Sequence, residues 1–229
     1  MSYLWQEFNI KTFTAETLVF RDGIFCKELS DYTCASCDNN TITINKTIKI
    51  PVHIIYIGEI ADNINLNINI IAPDTKIIMT NKTVYKKPAF FNIFIKNFGK
   101  NSVFDGKIIV KNHNSLKISV LAEHLCENTG IFVKTRVAAY KNSETILTGS
   151  AIIGKNIPNC DSDVSFTVMA DENAKITMKP MQYIKSVPES AKHSASVYKP
   201  NNNQINYLRT SGLGTIEIKQ VLENAFLEE

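Results

Sequence analysis

From about Thr41 to Lys179 the chain is a succession of short runs in which apolar and polar residues alternate. Thr41-Ile-Thr-Ile, Ile64-Asn-Leu-Asn-Ile-Asn-Ile, Leu116-Lys-Ile-Ser-Val-Leu and Val164-Ser-Phe-Thr-Val are examples. A period of two is the mark of a strand with one buried face. Longer apolar runs such as Ile48 to Ile57 and Lys107-Ile-Ile-Val read as further strands. Asn, Asp, Gly and Lys fill the gaps as turn residues. Many short strands at this spacing fit either a sandwich or a solenoid of stacked coils, and no exact internal repeat decides between them. The alternating asparagines of Asn63-Ile-Asn-Leu-Asn-Ile-Asn read as solvent-facing polar residues on an Asn-rich chain.

The ends carry sharper signals. Thr17 to Leu29 reads as a hairpin turning at Asp22-Gly23, and Asp105-Gly106 as another tight turn. Near the C-terminus, Asn201 or Asn202 can cap a short helix through Arg209, with Gly212 as its left-handed stop. Thr215 can cap a second helix with Glu217 in its first turn, where the dipole favours an acid. Ile218, Leu222 and Phe226 then form one apolar stripe, with Val221 and Ala225 beside it. So short a helix must pack on something, either its own domain or a partner. The chain divides into an N-terminal segment with a hairpin (1–38), a β core (39–184) and a C-terminal segment with two short helices (185–229).

Net charge of +3 is too small for sequence-independent nucleic-acid binding, which needs a concentrated basic face. No apolar run is long enough to span a membrane, and Met1 to Phe8 lacks the charge and apolar core of a secretion signal, so the reading is cytoplasmic. In that compartment the five cysteines should be reduced. Cys34-Ala-Ser-Cys37 has knuckle spacing but no second ligand pair, so it reads as local structure. Cys160 sits in a turn and could approach a partner, while Cys126 reads as a buried or edge thiol. His53 reads as structural, and His113 lies in a turn. Glu123 with Asp161 or Asp163 would be the carboxylate pair of a β-helix carbohydrate-active enzyme. No phosphate-binding glycine loop appears, so any linked ATPase must be another subunit.

Pro180, His193, Ala195, Val197, Gln204, Tyr207, Leu208, Arg209 and Gly212 match, without a gap, the C-terminal pattern of SufD. Leu18-Val-Phe-Arg-Asp-Gly with Leu29-Ser, and Phe104-Asp-Gly, are similar to further patterns of that family. The chain thus resembles the SufD branch of the SufB/SufD scaffolds of iron–sulfur cluster assembly, from about Leu18 to Phe226 in patches. That resemblance selects the solenoid: a mainly β, right-handed parallel β-helix with a short helical C-terminal segment. It implies a non-catalytic subunit that pairs with a SufB homologue through the C-terminal end of the β-helix and docks the SufC ATPase. Tyr207, Leu208, Arg209, Ile218, Leu222 and Phe226 are the implied partner-binding residues. His193 is the implied contact to iron or a nascent Fe–S cluster at the SufB–SufD interface, imidazole being a ligand suited to iron. One histidine cannot hold a cluster, so the partner must supply thiolates, and none is expected to be held stably by the chain alone. Many relatives have Cys where Ala191 stands, so that thiol's role is gone here. The family's long N-terminal helical region has only about fifteen residues as its counterpart, which implies a short form. A homodimeric β-solenoid with no metal role is the alternative.

Overall fold

A computed structural model describes residues 16–58 and 63–228; Met1 to Phe8, read above for a secretion signal, lie outside them. The strands are β1 (Thr17–Arg21), β2 (Ile24–Phe25), β3 (Ala35–Asp38), β4 (Thr41–Ile44), β5 (Val52–Gly58), β6 (Ile64–Ile70), β7 (Lys76–Tyr85) and β8 (Ala89–Asn97). They continue as β9 (Val103–Asn112), β10 (Ser115–His124), β11 (Gly130–Ala139), β12 (Glu144–Ile153), β13 (Asp161–Ala170), β14 (Lys175–Ile184) and β15 (Ser190–Tyr198). Helices α1 (Asn202–Thr210) and α2 (Thr215–Glu228) follow.

One sheet runs β15-β13-β11-β9-β7-β5-β1-β2 and the other β14-β12-β10-β8-β6-β4-β3. From β4 onward, successive strands fall alternately in the two sheets, and each pairs in parallel with the strand two places on. This is a parallel β-helix of about six turns, as the resemblance implied. The coil length drifts from 27 residues at Asp74–Asn101 to 31 at Asn128–Asn159, which hides the repeat in the sequence. The sheets pass both expected boundaries: β1 already pairs with β5, and β15 still pairs with β13. Only Val52–Gly58 of the run from Ile48 is strand, since Pro51 cannot supply a ladder donor.

Alternation sorts the side chains. The inward row Ile54, Met79, Gly106, Val133, Val164, His193 rises one residue per coil. The interior is filled by Ile, Val, Leu and Phe, each contributing about 1.5–3 kcal/mol on burial. Asp105-Gly106 is not a turn, because β9 runs straight through it. A Cβ on Gly106 would stand 2.7 Å from the Phe104 ring, so the glycine makes room for that ring. Gly149 does the same for Phe166, whose Cζ lies 2.7 Å from where a Cβ would be. Gly149→Val is therefore expected to cost about 1–3 kcal/mol in urea denaturation. An unchanged midpoint would show that the Phe166 ring can move aside.

Asparagine has a structural use that composition conceals. Asn101, Asn128, Asn142, Asn156, Asn159 and Asn173 all have positive φ, a conformation Asn tolerates better than most residues. Asn101 donates to Asp74 (2.9 Å) and Asn159 to Asn128 (3.1 Å), so corners bond from coil to coil. Asn65, read above as merely solvent-facing, accepts from Asn92 of the next coil at 2.7 Å, and Asn63 accepts from the Phe90 amide at 3.1 Å. These are side-chain ladders of the kind stacked strands permit.

At the N-terminal end the hairpin forms as expected, with Asp22 and Gly23 at φ 49° and 83°. The Glu16 carboxylate accepts from the Thr33 hydroxyl and from the amides of Thr33 (2.9 Å) and Cys34 (3.0 Å).

Candidate functional site at the open end of the β-helix

The last coil, β14 and β15, has a pairing partner on one side only. Among the described residues nothing caps it: Pro180, Ile184, Ala195 and Val197 are exposed, although all four stand on inward rows. His193 lies on the inward row of β15, directly above Val164. Pro180 lies on the inward row of β14, directly above Gly149. Val164 Cγ1 comes within 2.9 Å of where a Cβ on Gly149 would be, so those two face each other across the interior. The same stacking sets His193 across from Pro180 one coil higher. Two residues well apart in sequence thus meet at the end of the cylinder.

The His193 ring is half-buried, and neither Nδ1 nor Nε2 has a hydrogen-bond partner. Burial pushes its pKa below the ordinary histidine value, with the Asp163 carboxylate opposing. The imidazole is therefore neutral at neutral pH, and its lone pair has no partner within the chain. Orphaned polar atoms recur beside it. Gln182 Nε2, on the row of Pro180, and Ser162 Oγ, below Ala191, are also buried without partners. Sequence reading missed both, since an inward polar residue is conspicuous only once the facing of its strand is known. Among the described residues no group of three or more His, Cys, Asp or Glu could hold a metal ion. A metal at His193 would thus need its other ligands from outside the described residues.

The remaining motif residues build the arm beyond β15. Asn201 caps α1 by accepting from the Gln204 amide (2.8 Å), and Gln204 Oε1 accepts in return from the Asn201 amide (3.0 Å). This reciprocal cap accounts for the motif glutamine. Gly212, at φ 88°, ends the helix, and the Leu213 amide returns to the Leu208 carbonyl at 3.2 Å. No residue of α1 is buried, and Tyr207 is 71% exposed, with Leu208 half-buried and Arg209 exposed.

Helix α2 takes the other course. Gly214 precedes it, with Glu217 Oε2 accepting the Gly214 amide at 2.7 Å, so Thr215 is the first helical residue and not the cap. Ile218, Leu222 and Phe226 are buried, and Phe226 with Leu227 packs on Ile109 and Ala138 of the chain's own β-helix. Phe226 also stacks on Tyr198, with ring centroids 5.1 Å apart. Polar contacts secure the helix. Glu223 accepts from Tyr140 (2.7 Å) and pairs with Lys111 (2.9 Å), and Lys219 pairs with Asp171 (2.6 Å). Arg136 and Lys107 donate to the carbonyls of Phe226 (2.6 Å) and Glu228 (2.8 Å), where the helix dipole favours cations. This corrects the partner-binding assignment of Ile218, Leu222 and Phe226: all three are buried within the chain, Phe226 against its own sheet.

The other candidates are dispersed. Cys34 is buried and its thiol pushed up to about 12 by burial and then by Glu16; burial and Asp38 push Cys37 up to about 11. Neither is a thiolate at neutral pH. Cys160 does not approach a partner: it is fully buried, donating to the Cys126 carbonyl at 3.5 Å. Cys126 is half-buried, and His113 stacks on Tyr140 at 3.8 Å. Glu123 lies on the outer face of one sheet, Asp161 and Asp163 on the outer face of the other, so they form no carboxylate pair. Among the described residues no helix is long and apolar enough to cross a membrane.

No curated protein matches the chain. Residues 58–226, which run from the end of β5 to Phe226 of α2, match the family described as SUF system FeS cluster assembly, SufBD core domain. The chain therefore belongs to the SufB/SufD family, whose core domain serves iron–sulfur cluster assembly in the SUF system.

Proposed function

We propose that this chain is a SufD-like, non-catalytic scaffold subunit that pairs end to end with a SufB homologue and docks a SufC homologue. The observation that carries the reading is His193: both ring nitrogens are buried without partners, at an uncapped coil with free strand edges. Leaving such groups unpaired costs about 1–3 kcal/mol each, a penalty that assembly would relieve. Iron or a nascent cluster is the cargo, His193 supplies one neutral imidazole, and thiolates of the SufB homologue complete the set. The free edges suit main-chain pairing with a second solenoid.

Docking of the ATPase falls to the exposed arm, Tyr207, Leu208 and Arg209 of α1. Ile216 and Val221 on the outer side of α2 add exposed apolar surface. Because α2 is bolted to the β-helix, force applied to the arm by ATP-driven SufC movement would reach the last coil and open the interface at His193. Tyr207→Ala is expected to weaken capture of the SufC homologue at least about tenfold while leaving the thermal midpoint unchanged, as its ring is mostly in solvent. Undiminished capture would remove α1 from the docking surface. The test of the whole reading is co-purification with the SufB and SufC homologues of the same organism. A stable three-component complex is expected. A homodimer that ignores both would make the chain a β-solenoid interaction protein with no metal role.

A further inference from the structure

Positive charge is concentrated on the last coil. Residues 175–199 carry five lysines, Lys175, Lys179, Lys185, Lys192 and Lys199, against one acid, Glu189, a formal net charge of +4. The whole chain carries only +3. The coil beneath, residues 144–171, has four acids against Lys155, a net charge of −3. All five lysines of the last coil are exposed, and they surround its rim. Lys175 and Lys179 stand on the outward rows of β14, and Lys185 follows that strand at the corner. Lys192 stands on the outward row of β15, and Lys199 follows that strand. The ladder sets Glu144 beside Lys175 and Asp163 beside Lys192. Yet among the described residues none of the five lysines makes an ion pair or a side-chain hydrogen bond, whereas Lys100, Lys111 and Lys219 each pair with an acid.

Inside this rim lie the exposed apolar residues Pro180, Ile184, Ala195 and Val197. An apolar centre with a polar, charged border is the anatomy of a protein interface. Phosphate recognition favours arginine, and this coil has none. We infer that the lysine rim selects the partner of the end face: it accepts a SufB-type solenoid end that carries carboxylates and turns away a second copy of this chain. This rests on the end-to-end pairing proposed above. Two copies placed end to end would set +4 against +4, with lysines closer than the Debye length of about 10 Å at 0.1 M salt. Like charges so placed disfavour the wrong partner, and an acidic face gains from the same geometry, chiefly in association rate. The shared fold of two solenoid ends would allow either pairing, and the unpaired lysines separate them.

Reversing the rim tests this. Lys179→Glu, Lys185→Glu, Lys192→Glu and Lys199→Glu together turn the coil from +4 to −4. All four side chains are exposed, so the thermal midpoint should hold. At about 50 mM NaCl the wild-type chain is expected to sediment as a monomer and to bind the SufB homologue of the same organism. That affinity should fall at least about tenfold by about 500 mM NaCl. The reversed variant should bind at least about tenfold more weakly at low salt and regain affinity as salt rises, a change of sign that loss of fold would not produce. Salt-independent binding, or undiminished binding by the variant, would overturn the charge inference while leaving end-to-end pairing intact. A wild-type homodimer at low salt, or retention of a single-stranded oligonucleotide in place of the SufB homologue, would also overturn it. No complex at any salt would overturn both readings. If the variant fails to fold, the salt series and oligomeric state of the wild-type chain decide.

Discussion

Replacing His193 with leucine is expected to cut cluster assembly by the complex at least about tenfold while leaving the isolated chain as stable as before, or more so. The two effects have one cause. Both imidazole nitrogens are buried and unpaired, and apolar replacement of an unsatisfied polar group is neutral or stabilising, here by up to about 1–2 kcal/mol. A histidine kept for structure would behave in the opposite way. The measurements are the rate of Fe–S cluster formation on the purified complex and the thermal midpoint of the chain alone. His193→Cys, which restores a ligand of another type, should recover part of the rate. An unchanged rate in the leucine variant would end the metal assignment. A large fall in midpoint would return His193 to the core.

The site was legible only in part, for physical reasons. Strands announced themselves because each sheet buries one face, so Thr41-Ile-Thr-Ile and Val164-Ser-Phe-Thr-Val alternate plainly. Stacking did not. The row Ile54, Met79, Gly106, Val133, Val164, His193 shares no residue type beyond valine, since a stacked row selects for fit with its neighbours. The caps at Asn201 and Gly212 were legible because they are local. The destination of the Ile218–Leu222–Phe226 stripe was not, because amphipathicity shows that a face is buried and not what buries it. Asp105-Gly106 misled for a related reason: glycine serves turns, but it also serves close packing, and only the Phe104 ring tells them apart. Pro180 was visible in the motif, yet its meaning depends on strand parity, which exists only in the folded sheet.

A second large effect concerns acid. His124 ends β10 on the inward side, between Asn97 and Ile153 of the adjoining coils, and is fully buried. Its Nδ1 lies 2.8 Å from Thr129 Oγ1, which itself donates to the Cys126 carbonyl at 2.9 Å. The hydroxyl oxygen thus accepts from Nδ1–H, and Nε2 is left without a partner. Burial lowers the pKa from 6.5 to about 4. The unfolded chain therefore takes up a proton first as pH falls, so stability drops between pH 6.5 and about 4, by roughly 3 kcal/mol in all. Glu16 extends the loss. Burial raises its pKa, but hydrogen bonds from Cys34 and Thr33 outweigh this and bring it from 4.5 to about 2, so its contribution fades as pH falls through that range. Against a typical total of about 5–15 kcal/mol, the first loss alone is substantial. Urea denaturation at pH 7.5 and pH 4.5 should show the wild-type chain losing about 2–3 kcal/mol more than His124→Gln does. The comparison of slopes removes the other titrating groups, and any cost of the substitution at neutral pH cancels. Parallel slopes would mean that the buried imidazole is reached by water or by a partner, and that the acid sensitivity of this β-helix lies elsewhere.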